Sequence, residues 1–246
     1  MRGITWLIRN KRVAYSRPEL NVTVLETPLS DAVSSARTVR GLAALERNAP
    51  LVEWLFERRA PRPHDVCVEV LYSGVCHTDL HKIGDWGQAF PLVPGHEIVG
   101  RVAEVGADVS RFKPGDVVGV GTIIDSCRIC HPCEEEEEVY CLAHPTPTYD
   151  GLDRVDGSRT RGGFAETYVA DERFVYSIPT GLDLAGVAPL LCAGVTVYSP
   201  LRHWNAGPGK VIGVIGLGGL GHLGIKMARA MGAQAPVIAR PAGQAV

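Results

Sequence analysis

The sequence lacks any run of about 18 purely apolar residues, the length that a membrane-spanning helix needs. The most apolar stretch, residues 187–201, is interrupted by Gly194 and Pro200. The sequence also lacks a strong excess of either charge, because the formal net charge of its 246 residues is -2. The absence of a basic stripe argues against nucleic acid or an anionic membrane surface as a partner.

The N-terminus lacks the apolar region of a secretory signal, because its only apolar stretch, residues 4–8, is short and is followed by basic residues. We therefore expect a cytoplasmic protein. The seven cysteines form an odd number, which argues against a complete set of disulfides. Their close spacing favours metal binding in a reducing compartment.

Residues 1–40 differ from the rest of the chain, because they are rich in arginine and serine and show neither a strand nor a helix period. We interpret them as an atypical N-terminal extension. Residues 41–182 hold short segments that alternate like half-buried strands, separated by glycine and proline turns. These segments are residues 66–70, 98–105, 116–120, 166–170 and 174–178. They predict a small β-barrel or sandwich.

The pattern changes in residues 183–246. Residues 184–201 predict a helix, and residues 211–215 form the continuous apolar run of a parallel strand buried on both faces. Residues 223–231 have helical spacing, and residues 237–239 predict a second parallel strand. This order of elements predicts an α/β unit.

The strongest metal signal is a group of four cysteines in one loop-like segment. They follow the spacing C-x2-C-x2-C-x7-C and are Cys127, Cys130, Cys133 and Cys141. Four thiolates from a single loop match a closed, tetrahedral structural zinc site. The alternative is a set of free or disulfide-bonded cysteines. His131 lies inside the group but is not needed as a ligand, because the four cysteines are already a complete set.

A second candidate metal site is dispersed along the chain. Cys76, His96 and Cys192 offer two thiolates and an imidazole, and a catalytic zinc ion typically has three protein ligands and an open position. Glu97 follows His96 directly and is either a further ligand or a neighbour of one. Each residue alone is weak evidence, since a lone cysteine such as Cys192 on an apolar helix is more often part of a core.

Three residues near Cys76 are candidates for moving or orienting protons. Thr78 carries a hydroxyl two residues after Cys76, and His81 could pass a proton on to solvent. Asp79 could orient His96, as carboxylates behind metal ligands do.

Residues 216–221 have the pattern G-x-G-x-x-G between an apolar strand and a helix, the context in which this motif predicts dinucleotide binding. Gly216 would permit the tight turn, Gly218 would let the backbone approach the pyrophosphate, and Gly221 would allow close packing of helix and strand. Gly219 and Leu220 lie at the helix N-terminus, whose free N–H groups attract phosphate. The alternative is a structural glycine-rich loop.

The residue that follows the second strand bears on the choice of nicotinamide cofactor. An acidic residue about 20 positions after the glycine motif would bind the ribose hydroxyls of NAD. The sequence instead has Arg240 there, and an arginine accommodates a 2′-phosphate. NADP(H) is therefore favoured over NAD(H).

Together these residues resemble the zinc-containing medium-chain alcohol dehydrogenases. The segment that begins at Gly95, G-H-E-x2-G-x5-G-x2-V, is similar to the zinc signature of that family. The similarity extends over residues 41–233 and is greatest to the cinnamyl-alcohol dehydrogenase branch with its bacterial aldehyde reductases. It is carried by the segments GVCHTDLH, PLVPGHEIVGRV, GVGTIIDSC, APLLCAGVTVYSPL and GLGGLGHLGIK.

The resemblance implies a GroES-like β-barrel catalytic domain at residues 41–182, followed by a Rossmann domain with a doubly wound parallel sheet. It implies one catalytic and one structural zinc ion, a homodimer, and reversible oxidation of small alcohols to aldehydes with NADP(H). Cys76, His96 and Cys192 match the family's ligands of the catalytic zinc, with Glu97 close by.

The resemblance also implies roles for four other side chains. Thr78 and His81 match the proton relay of the family, and Thr196 falls where the family has a residue beside the nicotinamide. Trp86 falls in a region that often shapes the substrate pocket, although a packing role fits it equally well.

Two parts of the chain depart from the family. Residues 1–32 are unlike it, which suggests a true start at Val33. Residues 211–246 are enough for roughly one βαβ unit of about 30 residues, whereas a doubly wound domain needs two βαβαβ halves. We therefore expect an incomplete Rossmann domain at residues 183–246, an atypical tail from Pro236, an exposed sheet edge and a tendency to aggregate.

The sequence thus predicts a zinc-dependent oxidoreductase that interconverts alcohols and aldehydes with NADP(H). The main alternative is a truncated, catalytically inactive remnant that binds zinc but not the cofactor, in which case the family's homodimer is also in doubt. A zinc-ribbon interaction module is a poorer alternative, because it leaves the dispersed ligand set and the glycine motif unexplained.

Overall fold

The computed structural model describes residues 36–238. The proposed start at Val33, the predicted cofactor contact of Arg240 and the end of the atypical tail lie outside the described residues.

The described residues form strands and helices that we number in chain order. The strands are β1 (Arg37–Ala44), β2 (Leu51–Arg58), β3 (Asp65–Ser73), β4 (Ile98–Val105), β5 (Val117–Val120), β6 (Ile123–Asp125), β7 (Thr146–Pro147), β8 (Thr167–Asp171), β9 (Val175–Ser177), β10 (Val214–Ile215) and β11 (Val237–Ile238). The α-helices are α1 (His77–Ile83), α2 (His131–Glu134), α3 (Leu184–Val187), α4 (Ala193–His203) and α5 (Gly219–Ala230).

The predicted β domain is built on a five-stranded antiparallel sheet with the strand order β8-β3-β4-β5-β9. Each of the five segments that the sequence predicted as a strand within residues 41–182 contributes one of these five strands. The hairpin of β1 and β2 closes against the sheet through backbone hydrogen bonds, including Leu42 N to Phe164 O at 2.8 Å. β1 begins at Arg37, so residues 37–40, which we assigned to the N-terminal extension, are part of a strand of the β domain.

The core of this domain follows from the alternation in the strands. Val66, Val68 and Val70 of β3 are buried, whereas Glu69 between them is exposed. Their side chains pack against buried valines of the neighbouring strands and against Tyr168. Burial of each such valine stabilises the fold by about 1.5–3 kcal/mol, so this face of the sheet fixes the strand register.

The prediction of one continuous helix over residues 184–201 is wrong. The chain forms α3, a 3-10 helix at Ala188–Leu191 and then α4, with a bend of 61° at Cys192. Cys192 has φ -125° and ψ -74°, which no helix accommodates. The part before the bend packs on the β domain, where Val187 and Ala188 contact Val99. Among the described residues no single helix could cross a membrane by length and composition, although this bent pair passes that test together.

The C-terminal part of the described residues is a single βαβ unit. β10 and β11 pair in parallel, with α5 between them in sequence, and α5 packs on α4. The prediction that residues 211–215 form a strand buried on both faces is wrong: only Val214–Ile215 is strand, while Val211 and Ile215 are 65% and 84% exposed. The reason is that Ile212 and Val214 face the core shared by the two helices, whereas Val211 and Ile215 point the other way.

Candidate metal centres and cofactor loop

Four potential metal ligands from three separate parts of the chain meet at one point. One donor atom each from Cys76, His96, Glu97 and Cys192 lies within 4.8 Å of all the others, and the two Sγ atoms are 3.9 Å apart. Cys76 precedes α1, His96 and Glu97 precede β4, and Cys192 sits at the bend before α4. The structure therefore brings together the dispersed set that the sequence predicted.

The loop that carries His96 is fixed by close backbone packing. Gly95 has φ +100°, and a Cβ there would lie 2.5 Å from the Phe164 ring and 2.9 Å from the Ser73 hydroxyl. The N–H groups of Gly163 and Phe164 donate to the carbonyls of Gly95 and Pro94 at 2.8 and 3.0 Å. Only glycine fits this approach, and the fit orients the next side chain, His96, towards the cluster.

Asp79 connects two of the ligand-bearing segments. Its Oδ2 accepts a hydrogen bond from the N–H of Cys76 at 2.8 Å, and its Oδ1 accepts one from the N–H of Gly95 at 3.0 Å. Oδ1 also lies 3.5 Å from Nδ1 of His96. The residue is only 1% exposed. This is the position that we predicted for a carboxylate orienting His96.

The protonation behaviour of the cluster follows from its close packing. A hydrogen bond from the Cys192 thiol, helped by one from His96, lowers the pKa of Cys76 to about 3. Burial opposes a charge on His96, but hydrogen bonds with Asp79 and Cys76 outweigh it and raise its pKa to about 10. Burial, and then the charge of Cys76, raise the pKa of Glu97 to about 7. Negative charge on Cys76 and Asp79 therefore holds a proton on His96, and the same charges would stabilise a metal cation bound at this point.

The donor set fits zinc. Zinc–sulfur bonds of about 2.3 Å in a tetrahedral site place two thiolates about 3.8 Å apart, close to the 3.9 Å between the Sγ atoms of Cys76 and Cys192. Two thiolates and an imidazole are typical zinc ligands. Glu97 completes the set, and its carboxylate fits only because Gly74 has no side chain, since a Cβ there would overlap Glu97 Oε2.

The four loop cysteines form a second cluster, whose sulfur atoms lie within 4.8 Å of one another. The Sγ atoms of Cys127 and Cys133 are 3.9 Å apart. Backbone N–H groups of Cys127 and Leu142 point at the sulfurs of Cys141 and Cys130, at 3.4 and 3.5 Å. Such donors stabilise thiolates, so this cluster also fits the predicted tetrahedral zinc site. His131 is exposed at the start of α2 and stands outside the cluster.

The residues predicted to relay protons lie along α1. The Oγ1 of Thr78 is 3.5 Å from the sulfur of Cys76. Thr78 and His81 are three positions apart on the helix and therefore face the same side. The His81 ring stacks on Trp86 at a centroid distance of 4.0 Å, and Trp86 is 56% exposed. Within residues 36–238, no hydrogen bond joins Thr78 directly to His81, so the predicted proton relay would need a bridging hydroxyl or water between them.

The glycine loop has the geometry that the motif predicts. Gly216 has φ +89°, and a Cβ on Gly221 would overlap the Gly216 carbonyl oxygen. Gly218 is the N-cap of α5, which begins at Gly219. A groove of about 590 Å³ brings the predicted residues Thr196 and Leu220 together with Gly221. Cofactor contact by any of these residues stays a prediction.

Sequence reasoning missed Tyr149. Its ring stacks on the His96 imidazole at a centroid distance of 5.7 Å, and the residue is 4% exposed. No motif includes Tyr149, and it follows the loop cysteines at a distance in sequence that gives no hint of this contact. The only sequence signal is an aromatic residue between polar neighbours, which is too common to identify a site.

Comparison with known proteins gives a consistent result. A family model described as the alcohol dehydrogenase GroES-like domain matches residues 62–180. NADP-dependent alcohol dehydrogenase C 1 of Mycolicibacterium smegmatis is 50% identical over 82% of this chain and 59% of its own length. Aldehyde reductase YahK of Escherichia coli is 52% identical over 79% of this chain and 56% of its own length.

The solved structures include a similar chain with its cofactor. The crystal structure of the cinnamyl alcohol dehydrogenase from Helicobacter pylori, complexed with NADP(H), has a TM-score of 0.81 and 41% identity. The match covers 85% of this chain and 61% of that one. The chain therefore spans about three fifths of the length of the proteins that it matches.

Proposed function

Because the chain belongs to the medium-chain alcohol dehydrogenase family, with its GroES-like catalytic domain, we propose that it is a zinc-dependent oxidoreductase that interconverts alcohols and aldehydes with NADP(H). The observation that carries the proposal is the meeting of Cys76, His96, Glu97 and Cys192 within 4.8 Å. Three distant segments converge there on a set of donors suited to a Lewis-acidic ion.

We propose two zinc ions, one in each cluster. Cys76, His96 and Cys192, with Glu97 beside them, would hold the catalytic ion, and the four loop cysteines would hold the structural ion. A zinc ion in the first cluster would polarise the substrate oxygen and lower the pKa of an alcohol group. Asp79 would keep the imidazole of His96 in the orientation and tautomer that ligation requires, through its contact with Nδ1.

The chain's own residues would guide the substrate proton. The hydroxyl of Thr78, which lies 3.5 Å from the sulfur of Cys76, is placed to exchange a proton with a substrate hydroxyl at the site. The proton would then move along the exposed side of α1 to His81. Trp86 covers the His81 ring, which limits the water around that part of the path.

The cofactor would lie beside the glycine loop. A nicotinamide bound there would supply the hydride acceptor or donor, and the relatives named for NADP dependence support NADP(H) as the form used. Gly216, Gly218, Gly219 and Gly221 would let the pyrophosphate reach the first N–H groups of α5. Thr196 at the other wall of the groove would contact the nicotinamide half.

The location and the substrates are also proposals. We propose a reducing, cytoplasmic location, supported by seven free thiols, of which six belong to the two clusters. We propose small alcohols and aldehydes as substrates, from the activities named for the relatives.

The test is a zinc-loaded preparation assayed in three ways. The bound zinc is counted, NADPH binding is titrated by fluorescence, and NADPH oxidation is followed with an aromatic aldehyde. We expect two zinc ions, saturable NADPH binding and aldehyde-dependent oxidation that Cys192→Ser abolishes. Cys67→Ala, which removes a thiol outside both clusters, serves as the matched control and should behave like the unaltered chain.

Other outcomes would exclude parts of the proposal. Two zinc ions without measurable NADPH binding would favour a zinc-binding protein that does not act as a dehydrogenase. Zinc only in the loop cluster would refute the catalytic site itself.

A further inference from the structure

Tyr149 packs against His96, one of the potential metal ligands. Its ring is stacked on the imidazole of His96, with a centroid distance of 5.7 Å and an interplanar angle of 21°. At 4% exposure, the side chain is enclosed by protein. One face of the imidazole is therefore covered by a rigid aromatic ring, which restricts rotation of His96 about its side-chain bonds.

The hydroxyl of Tyr149 has no evident structural use. It is buried, and among residues 36–238 it has no partner with hydrogen-bond geometry. Buried hydroxyls without a partner are rare because they cost free energy. Asp79 is a neighbouring acceptor, since its Oδ1 lies 3.5 Å from Nδ1 of the His96 ring on which Tyr149 stacks.

Asp79 has room for one more donor. An ionised carboxylate has about four acceptor positions. The N–H groups of Cys76 and Gly95 occupy two of them, and Nδ1 of His96 at 3.5 Å approaches a third. The remaining position suits a phenolic O–H, which would make the carboxylate fully satisfied.

The segment around Tyr149 is anchored on both sides. The backbone oxygen of Thr148 accepts a hydrogen bond from the Tyr168 hydroxyl at 2.7 Å. The buried carboxylate of Asp150 forms an ion pair with Lys82 of α1 at 2.8 Å. Tyr149 is thus fixed between the β domain and the helix that follows Cys76, as a supporting residue must be.

We infer that Tyr149 is a positioning residue of the catalytic metal site, whose ring fixes the plane of the His96 imidazole and whose hydroxyl would donate to Asp79 in the metal-bound protein. Asp79 engages Nδ1 of His96. The stacked ring and the Asp79 carboxylate would together hold Nε2, the other ring nitrogen, towards the metal ion. The inference rests on the proposed function, because it assumes that the cluster of Cys76, His96 and Cys192 binds a metal ion.

The test measures metal binding rather than turnover. Tyr149→Phe removes only the hydroxyl, and Tyr149→Met removes the ring as well while keeping an apolar side chain in the space. Zinc affinity is measured by competition with a chelator, and the visible absorption of the cobalt-loaded protein reports the ligand geometry of each site. Tyr176→Phe, which alters an exposed tyrosine on β9, is the matched control.

We expect Tyr149→Phe to weaken zinc binding at the catalytic cluster by roughly 10-fold, the lower end of the effect of removing a residue behind a metal ligand. Tyr149→Met should weaken it further and shift the cobalt bands. The four-cysteine cluster should bind metal as before in all variants, which also shows that the variants are folded.

The results separate the two proposals. If the unaltered chain binds metal only in the four-cysteine cluster, the proposed function fails. If it binds metal in both clusters, and both Tyr149 variants match it in affinity and cobalt spectrum, the inference about Tyr149 is overturned. If only Tyr149→Met differs, the hydroxyl has no role and that half of the inference is overturned.

Discussion

The ammonium group of Lys82 and the carboxylate of Asp150 form an ion pair of 2.8 Å, in which the Asp150 side chain is fully buried. The backbone N–H of Gln88 also points at this carboxylate, at 3.2 Å. The pair thus links α1, which follows Cys76, to the chain that leaves the loop of four cysteines.

Removal of Lys82 should therefore destabilise the protein. Lys82→Met leaves a buried carboxylate without its cation, which costs about 3–5 kcal/mol when the pair is fully buried. Because the Lys82 side chain is 24% exposed, we expect about 2–3 kcal/mol, measured as the free energy of unfolding in urea. Lys113→Met, at an exposed lysine without an ion pair among the described residues, should change it little. Equal stability of the two variants would contradict this account.

Loss of the Asp79 carboxylate should weaken the catalytic cluster and spare the other one. Asp79→Asn keeps the size of the side chain but loses the charge that faces Nδ1 of His96. We expect zinc affinity at this cluster to fall by about 10–100-fold. Chelator competition measures the effect, with Asp85→Asn, an exposed aspartate just beyond α1, as the control. An unchanged affinity would remove Asp79 from the site.

The loop of four cysteines should depend on its metal ion for its structure. Cys133 belongs to residues 127–141, in which the apolar side chains Ile129 and Val139 are 81% and 58% exposed. A segment with so small a core depends on its metal ion for stability. Cys133→Ser should lower the zinc content by one ion and expose residues 127–141 to limited proteolysis. Cys67→Ala should retain the full zinc content, because Cys67 lies on β3 outside both clusters. Protease resistance of Cys133→Ser would show that the loop folds without zinc.

The thiol of Cys67 should make stability fall at alkaline pH. Burial in the sheet raises its pKa to about 12 from an ordinary value of 9.0. The unfolded chain thus loses this proton first, so the contribution is intact below pH 9 and is lost as pH rises towards 12. Between these pH values the free energy of unfolding of the unaltered protein should fall by up to about 1.4 kcal/mol per pH unit more than that of Cys67→Ala. Parallel stability curves for the two proteins would refute it.

The exposed apolar face of the βαβ unit should promote aggregation. Ile215 and Ile238 are 84% and 64% exposed and are paired on the neighbouring strands β10 and β11, and an uncovered sheet is prone to associate with another chain. Replacement of both by lysine should reduce light scattering on concentration without lowering the melting temperature. Leu55→Lys, at an equally exposed position on the paired strand β2, should have little effect. Unchanged scattering in the double variant would place the aggregating surface elsewhere.

The sequence predicted most of the β domain and the group of four loop cysteines, because those features depend on local patterns. Val66, Val68 and Val70 alternate in sequence as they alternate in the sheet, so their strand could be recognised directly. The spacing of the loop cysteines carries its own geometric meaning. The dispersed set could be proposed from its donor types, but only the resemblance joined its members, since no local rule connects Cys76 to Cys192.

The remaining features depend on three-dimensional context. The bend at Cys192 interrupts an apolar run that is typical of one helix. The bend places the Cys192 sulfur 3.9 Å from that of Cys76. The exposure of Ile215 depends on which layers cover the sheet, and an apolar run alone does not reveal them. Tyr149 joined the site only through tertiary packing against His96.

The positions of the four donors along the chain also determine when, during synthesis, a metal ion could bind the catalytic cluster. The loop cysteines are close together in the chain, so they can capture an ion soon after they leave the ribosome. Cys76 and His96 emerge even earlier, but they must wait for Cys192, which follows only after the whole β domain has been synthesised. A growing polypeptide therefore carries Cys76 and His96 without their third partner until Cys192 has been made, so we expect a metal ion to be held at this site only late in synthesis.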